Sequence, residues 1–235
     1  MIPRTLFSSD HETFRDTVRK FLENEAVPFN EEWEQQGVVP KEVWLKAGEQ
    51  GFLCPMVGEE YGGIGADFLY SVVINEEISK LGLTGIGWGL HTEIVAPYIE
   101  HNGSEVLKQK YLPKMVTGEM IGAIAMTEPG AGSDLQGVKT TAVKDGDHYV
   151  LNGSKTFITN GQNADIVIVV AKTDPTKGAK GISLFVVETD SEGFEKGKNL
   201  KKVGMKAQDT SELFFQDVRV PAENLLGEEG MGFIY

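Results

Sequence analysis

Along the first 120 residues apolar positions recur every three or four places, and beyond Gly118 they recur every second place. Phe14, Val18, Phe21 and Leu22 share one helical face, and Ser9 with Glu12 ahead of them predicts a capping box. Pro40 suits the start of a second helix with Val43, Trp44 and Ala47 turned inward. Leu69, Val72, Val73 and Ile74 through Ile78 predict a buried third helix. Ile94, Val95, Tyr98 and Ile99 predict a fourth, and Val106, Leu107, Tyr111 and Leu112 a fifth. Gly62-Gly63 and the stretch Gly82–Gly89 break these helices apart.

The second half has another texture. Asp145-Gly146 lies between Thr140–Lys144 and His148–Leu151, which is a hairpin signal. Ile166–Ala171, Ile182–Val187 and Leu213–Val220 are short and rich in β-branched residues, as strands are. Five or six such strands predict a small sandwich or barrel. The reading is therefore α+β: an all-α domain over 1–120, then a small antiparallel β-barrel domain over 121–235.

Composition narrows the function. The 235 residues carry 22 basic and 35 acidic side chains, a net charge of −13, of which −9 falls on residues 1–121. That charge argues against nucleic acid and anionic membranes as partners, since both attract positive fields. The longest clean apolar run, Ile166–Ala171, is far short of the roughly 20 residues of a spanning helix, so no membrane insertion is expected. The opening residues, MIPRTLFSSDHETFRD, lack the apolar core of a signal peptide. A reducing compartment is the expectation, and the single cysteine, Cys54, reads as a small buried hydrophobe. His11, His91, His101 and His148 show no metal-ligand spacing, so no metal is expected. Trp33, Trp44 and Trp88 read as core anchors, and Glu31, Glu32 and Glu34 as a solvated helix face.

Two segments carry candidate chemistry. Thr127-Glu128-Pro129-Gly130-Ala131-Gly132-Ser133-Asp134 is a polar, glycine-punctuated loop after an apolar run. Its glycines allow close backbone approach to a ligand, and its hydroxyls can donate or accept, but a plain turn has the same letters. Leu151 through Gly161 sets Phe157 among threonines. That combination suits a planar heterocycle, which needs a face to pack on and an edge to bond, and it equally suits an ordinary strand with Phe157 in the core.

Taken together, MTEPGAGSD, NGSKTFITNG and VGMKAQDTSELFFQDVRVPAENLLGEEGMGF resemble the acyl-CoA dehydrogenase family over essentially the whole chain. The wording GAIAMTEPGAGSDLQGVKT and AKGISLFVVE is most similar to the long-chain branch. The resemblance implies an FAD enzyme that forms the trans-2,3 double bond of an acyl-CoA thioester and passes electrons to an electron-transfer flavoprotein. It implies a helical N-terminal domain, a β-barrel middle domain and a C-terminal four-helix bundle in a homotetramer. The sequence ends at Tyr235, where the run Gly230–Tyr235 reads as the start of a helix and the bundle is missing.

Carried over on the same resemblance, Ile124, Ala125, Met126, Thr127, Gly132 and Ser133 form the first flavin-binding segment. Met126 and Thr127 serve the pyrimidine side of the ring, and Gly132 and Ser133 the ribityl and pyrophosphate. Phe157, Ile158 and Thr159 form the second, with Phe157 on the ring and Thr159 at its N5 edge. Many relatives carry Trp where this chain has Phe157. Ser133, Gly181 and Ile182 are implied to meet the acyl-CoA, and His91–Ile99 to border the floor of the acyl tunnel. The family's base is a glutamate beyond the barrel, so no catalytic residue is assigned, Glu128 is a structural acid, and residues 1–235 are expected to be inactive. A flavin oxidase or monooxygenase of the same fold, and a non-catalytic two-domain fragment, stay open. The compartment implied is bacterial cytoplasm, or the mitochondrial matrix for a mature eukaryotic form.

Overall fold

A computed structural model describes residues 4–235. The chain is α+β, with helices up to Val116 and strands from Gly122 onward. The first helix, α1 (Ser9–Glu25), is capped one residue earlier than expected. Ser8 is the cap: its hydroxyl faces the His11 amide at 3.4 Å, while its own N–H donates to His11 Nδ1 at 3.1 Å. The imidazole takes the part expected of Glu12, whose carboxylate accepts from Arg15 Nε at 3.0 Å instead. Val18 and Leu22 are fully buried, with Phe14 and Phe21 packed at the edge of the same cluster.

A short α2 (Asn30–Gln36) buries Trp33 and leaves Glu31 and Glu32 exposed. Next, α3 (Lys41–Glu49) buries Val43, Trp44 and Ala47 as the pattern requires. Asp67 caps α4 (Phe68–Lys80), which buries Val73, Ile74 and Ile78 together with Ser71 and Glu77. The expected fourth helix is composite: α5 (Trp88–Leu90), a π-helical segment (His91–Val95) and α6 (Ala96–Asn102). The wider π turn shifts the register of inward positions, so Val95 and Ile99 are buried while Ile94 is exposed. In α7 (Glu105–Val116), Leu107, Tyr111 and Leu112 are buried, but Val106, in the first turn, faces solvent.

The strands are β1 (Gly122–Ala125), β2 (Thr141–Asp145), β3 (His148–Thr159), β4 (Ile166–Lys172), β5 (Ile182–Glu188), β6 (Phe194–Asn199), β7 (Thr210–Pro221) and β8 (Leu225–Leu226). They form one sheet in the order β6-β7-β3-β2-β4-β5-β8, with β1 on β4. Pairing is antiparallel except that β1, and one bridge of β2, run parallel to β4. These two share one edge of β4: β1 arrives from the helices and reaches it by crossover, so no hairpin forces it antiparallel. Side chains from β1 through β7 converge on one core, which includes Leu151, Val167, Val169, Phe185 and Leu213. On the opposite face, Ile166, Ile168 and Val170 pack with Val95, Ile99 and Leu112 of the helices. Both faces of β4 are thus covered, which is why its sequence is a continuous apolar run rather than an alternation.

The helices also hold β1 directly. His91 is fully buried, its Nε2 3.0 Å from Met115 C=O, and its Nδ1 accepts from Gly122 N–H at 2.9 Å. Burial lowers this imidazole to about 4, so it stays neutral and can both donate and accept. At the other end of the chain Met231–Tyr235 closes as a single helical turn, with Tyr235 N–H on Met231 C=O.

Candidate functional site

β1 ends at Ala125, and the next residues form a loop that returns to the sheet at Thr141. Glu128 and Ala131 exchange backbone hydrogen bonds of 2.9 and 3.1 Å, closing Pro129-Gly130 as a tight turn. The Glu128 side chain points back into the protein and is 6% exposed. Its Oε2 accepts from Lys139 N–H at 2.6 Å and its Oε1 from Thr140 N–H at 3.0 Å. Lys155 of β3, buried to 1%, completes the group: its Nζ lies 2.9 Å from Glu128 Oε1 and donates to Met126 C=O at 3.0 Å. Burial raises the Glu128 carboxyl, but hydrogen bonds from Thr140, Lys139 and Lys155 outweigh it and hold the group below the usual carboxylate range. Burial likewise pulls the Lys155 ammonium down, against the pull of Glu128.

β3 is irregular at this point. Its register against β7 shifts between Lys155 and Ile158, so the strand carries a bulge. Phe157 sits in that bulge with a φ of +58°, a left-handed conformation that a bulky residue adopts only under constraint. The result is a phenyl ring 66% exposed beside a lysine that is fully buried. Thr156 N–H donates to Thr127 C=O at 2.9 Å, which joins the bulge to the loop after β1. Beyond it, Asn160, also left-handed, donates to Gly87 C=O at 3.1 Å and anchors the end of β3 to the helical region.

A cavity of about 250 Å³ opens on the other side of β1. Ile124, Met126 and Ile182 line it together with Tyr98 from α6 and Tyr235 from the final turn.

The comparisons with known proteins bear on this arrangement. The N-terminal domain of acyl-CoA dehydrogenases matches residues 8–119, and the middle domain of the same family matches residues 123–218. This chain belongs to the acyl-CoA dehydrogenase family. The mitochondrial long-chain specific acyl-CoA dehydrogenase of Rattus norvegicus is 55% identical over 234 residues, 99% of this chain and 54% of that protein. A crystal structure of acyl-CoA dehydrogenase from Geobacillus kaustophilus superposes with a TM-score of 0.97 at 60% identity, over 99% of this chain and 62% of that one. An acyl-CoA dehydrogenase complexed with FAD, from Bacillus anthracis, gives 0.89 at 42% identity, over 97% of this chain and 39% of that one. The chain spans about half the length of the curated relatives it matches.

Of the residues expected at an acyl-CoA dehydrogenase site, the fold brings Met126, Thr127 and Phe157 through Thr159 into one neighbourhood. Gly132 and Ser133 are exposed on the outer limb of the loop, and Thr159 is half-buried at the end of β3. Ala125 and Ile158 are buried in the barrel core, so only their backbone is left to serve a ligand. Ile124 and Ile182 face the cavity. Gly181 does not: it is buried, and a Cβ there would meet Asp174 C=O at 1.8 Å, so close packing accounts for this glycine. Gly130 and Gly132 are the opposite case, with open space where a Cβ would stand and no positive φ. Lys155 went unread in the sequence: it stands among Asn152, Ser154 and Thr156, and no local signal sets it apart from a solvated strand position.

Proposed function

We propose that the protein is an FAD-dependent dehydrogenase of acyl-CoA thioesters, forming the trans-2-enoyl-CoA and delivering electrons to an electron-transfer flavoprotein. The observation that carries the reading is Phe157, an aromatic face held out to solvent by a strained bulge and hydrogen-bonded through its neighbour to the loop at Thr127. Isolated exposed aromatics need no explanation, but one displayed at backbone cost does. The residues fit the cofactor: the ring face, the half-buried threonines and the unhindered glycines supply packing, hydrogen bonds and close approach.

In this reading Met126 and Thr127 hold the pyrimidine side of the flavin, Thr159 its N5 edge, and Gly132 and Ser133 the ribityl and pyrophosphate. Ser133 also reaches the acyl-CoA. The flavin, when bound, supplies the hydride acceptor for the β-hydrogen of the substrate. The chain's own part is to orient and to keep water out: Phe157 covers a ring face, and Ile124 and Ile182 offer an apolar wall to the acyl chain. The carboxylate of Glu128 is not the base, because both of its oxygens are engaged with Lys139, Thr140 and Lys155. We place the helical N-terminal domain at 1–120 and the flavin-binding middle domain at 121–235. The substrate preference is medium to long straight chains, the assembly is a homotetramer, and the compartment is bacterial cytoplasm or the mitochondrial matrix.

The test is to titrate the full-length protein with FAD and then follow dye reduction with acyl-CoA substrates of increasing length; residues 1–235 alone are expected to give no turnover. A yellow holoprotein, with kcat/KM rising by the equivalent of about 0.8 kcal/mol per buried methylene until the tunnel ends, is the expected result. A protein that stays colourless sinks the cofactor. A maximum at four or five carbons sinks the long-chain preference, and rapid oxygen consumption by the reduced enzyme favours an oxidase.

A further inference from the structure

We infer that the buried Glu128–Lys155 pair is a positioning element for the cofactor, fixing the Met126–Thr127 peptide assigned above to the flavin and strengthening it as a hydrogen-bond donor. The inference rests on the flavin reading, and the two side chains are not themselves placed against the cofactor.

Three observations support it. First, the pair ties the two ends of the loop together. Lys155 Nζ holds Met126 C=O at 3.0 Å and Glu128 Oε1 at 2.9 Å, while the Glu128 carboxylate takes the amides of Lys139 and Thr140. The loop between has little ladder pairing of its own, so its shape depends on these few bonds.

Second, stability alone gives little reason for the pair. Removing two charges from water is expensive, and apolar side chains of similar volume are often as stable in such places. What an apolar pair could not do is grip one carbonyl and two amides at defined points. Lys155 also sits at the edge of the bulge that presents Phe157, so the same residue couples the loop to the exposed ring.

Third, an ammonium on the Met126 carbonyl polarises that peptide. Charge-assisted hydrogen bonds are the strong ones, and successive bonds reinforce each other in a low-dielectric interior. The Thr127 N–H on the far side of the same peptide becomes a better donor, favouring a bound ring when it holds more electron density. Lys155 therefore bears on the reduction potential as well as on affinity.

The experiment compares Lys155→Met and Glu128→Gln in the full protein with Arg19→Ala, which breaks an ion pair to Glu77 in the helical region. Each protein is titrated with FAD, and the visible spectrum and reduction potential of the bound flavin are recorded. Both loop variants are expected to bind FAD tenfold or more weakly with a changed spectrum. Lys155→Met also lowers the potential, whereas Glu128→Gln, which leaves the ammonium on Met126 C=O, does not, and Arg19→Ala keeps all three. Loop variants that melt earlier but match the parent in affinity, potential and spectrum overturn the inference and leave the pair a core element. A parent that binds no FAD overturns the flavin reading, and the inference falls with it. If Lys155→Met does not fold, Glu128→Gln decides on affinity and spectrum, because it breaks the ion pair without changing the size of the side chain.

Discussion

Glu77 in the helices and Glu128 in the barrel are both buried carboxylates, yet they are held in different ways. Glu77 meets three cations: Arg15 Nη1 at 2.9 Å, Lys80 Nζ at 2.7 Å and Arg19 Nε at 2.8 Å. Burial works against ionisation there, but Arg19, Lys80 and Arg15 together hold the carboxyl at about 2. Glu128 has one cation, Lys155, and two backbone amides. The first arrangement is redundant and joins α1 to α4, two helices that already pack through their apolar faces. The second is singular and organises a loop that has few other bonds. Redundant charge clusters serve cohesion; a single buried pair serves placement.

The largest effect expected from this contrast comes from removing one cation at each centre. Lys155→Met leaves a buried carboxylate with amides alone and should cost about 3–5 kcal/mol, whereas Arg19→Ala should cost a small fraction of that. Urea titrations of the two variants read the difference directly, and equal losses would erase the distinction between the centres.

Acid should separate the regions next. His91, lowered by burial to about 4 from an ordinary 6.5, is protonated first in the unfolded chain as pH falls. Its contribution is complete above pH 6.5, drains away between 6.5 and 4, and amounts to about 3 kcal/mol. Glu93, two residues on, is raised by burial to about 7 and acts with the opposite sign, losing stability as pH rises from 4.5 to 7. Glu77 gives its contribution above its ordinary 4.5 and loses it only as pH falls on toward 2. A His91→Gln variant isolates the first contribution: its stability deficit should shrink by about 3 kcal/mol between pH 7 and pH 4. A deficit that does not change with pH would mean that His91 takes up its proton in the fold as readily as in the unfolded chain.

Smaller effects test the barrel site alone. Thr159→Ala should weaken FAD binding by roughly 0.5–1.5 kcal/mol, one net hydrogen bond, with little change in melting. Unaltered affinity in a flavin titration would remove Thr159 from the site. Phe157→Gly should leave stability unchanged or raise it by up to about 1 kcal/mol, since the left-handed backbone is relieved and little packing is lost. FAD affinity should fall in the same variant. A loss of stability would show that the ring packs on the protein rather than on a ligand.

Much of this architecture is legible in the residues, for reasons that are local. The change of period near Gly118, the Asp145-Gly146 hairpin and the apolar runs of β4 and β5 follow from near-neighbour geometry. The cap of α1 was misplaced by one residue because an imidazole can fill the place of a carboxylate, which no letter pattern for capping boxes includes. Short strands went unread: β1, Gly122–Ala125, is four small or apolar residues with no alternation, and β6, Phe194–Asn199, is polar after its first residue.

By itself the sequence determined the succession of helices and strands, the two segments proposed to hold the cofactor, and the family to which the chain belongs. The tertiary structure decided which side chains those segments bury and which they display. Alternation along β3 puts Lys155 and Phe157 on one face, yet Lys155 is buried and Phe157 is exposed. The bulge and its left-handed residue reverse the expected side, and only the partners of Lys155, Met126 and Glu128 far back in the chain, make a buried ammonium tolerable. Burial of a charge is settled by groups distant in sequence, which is why periodicity could place the strand but not the lysine.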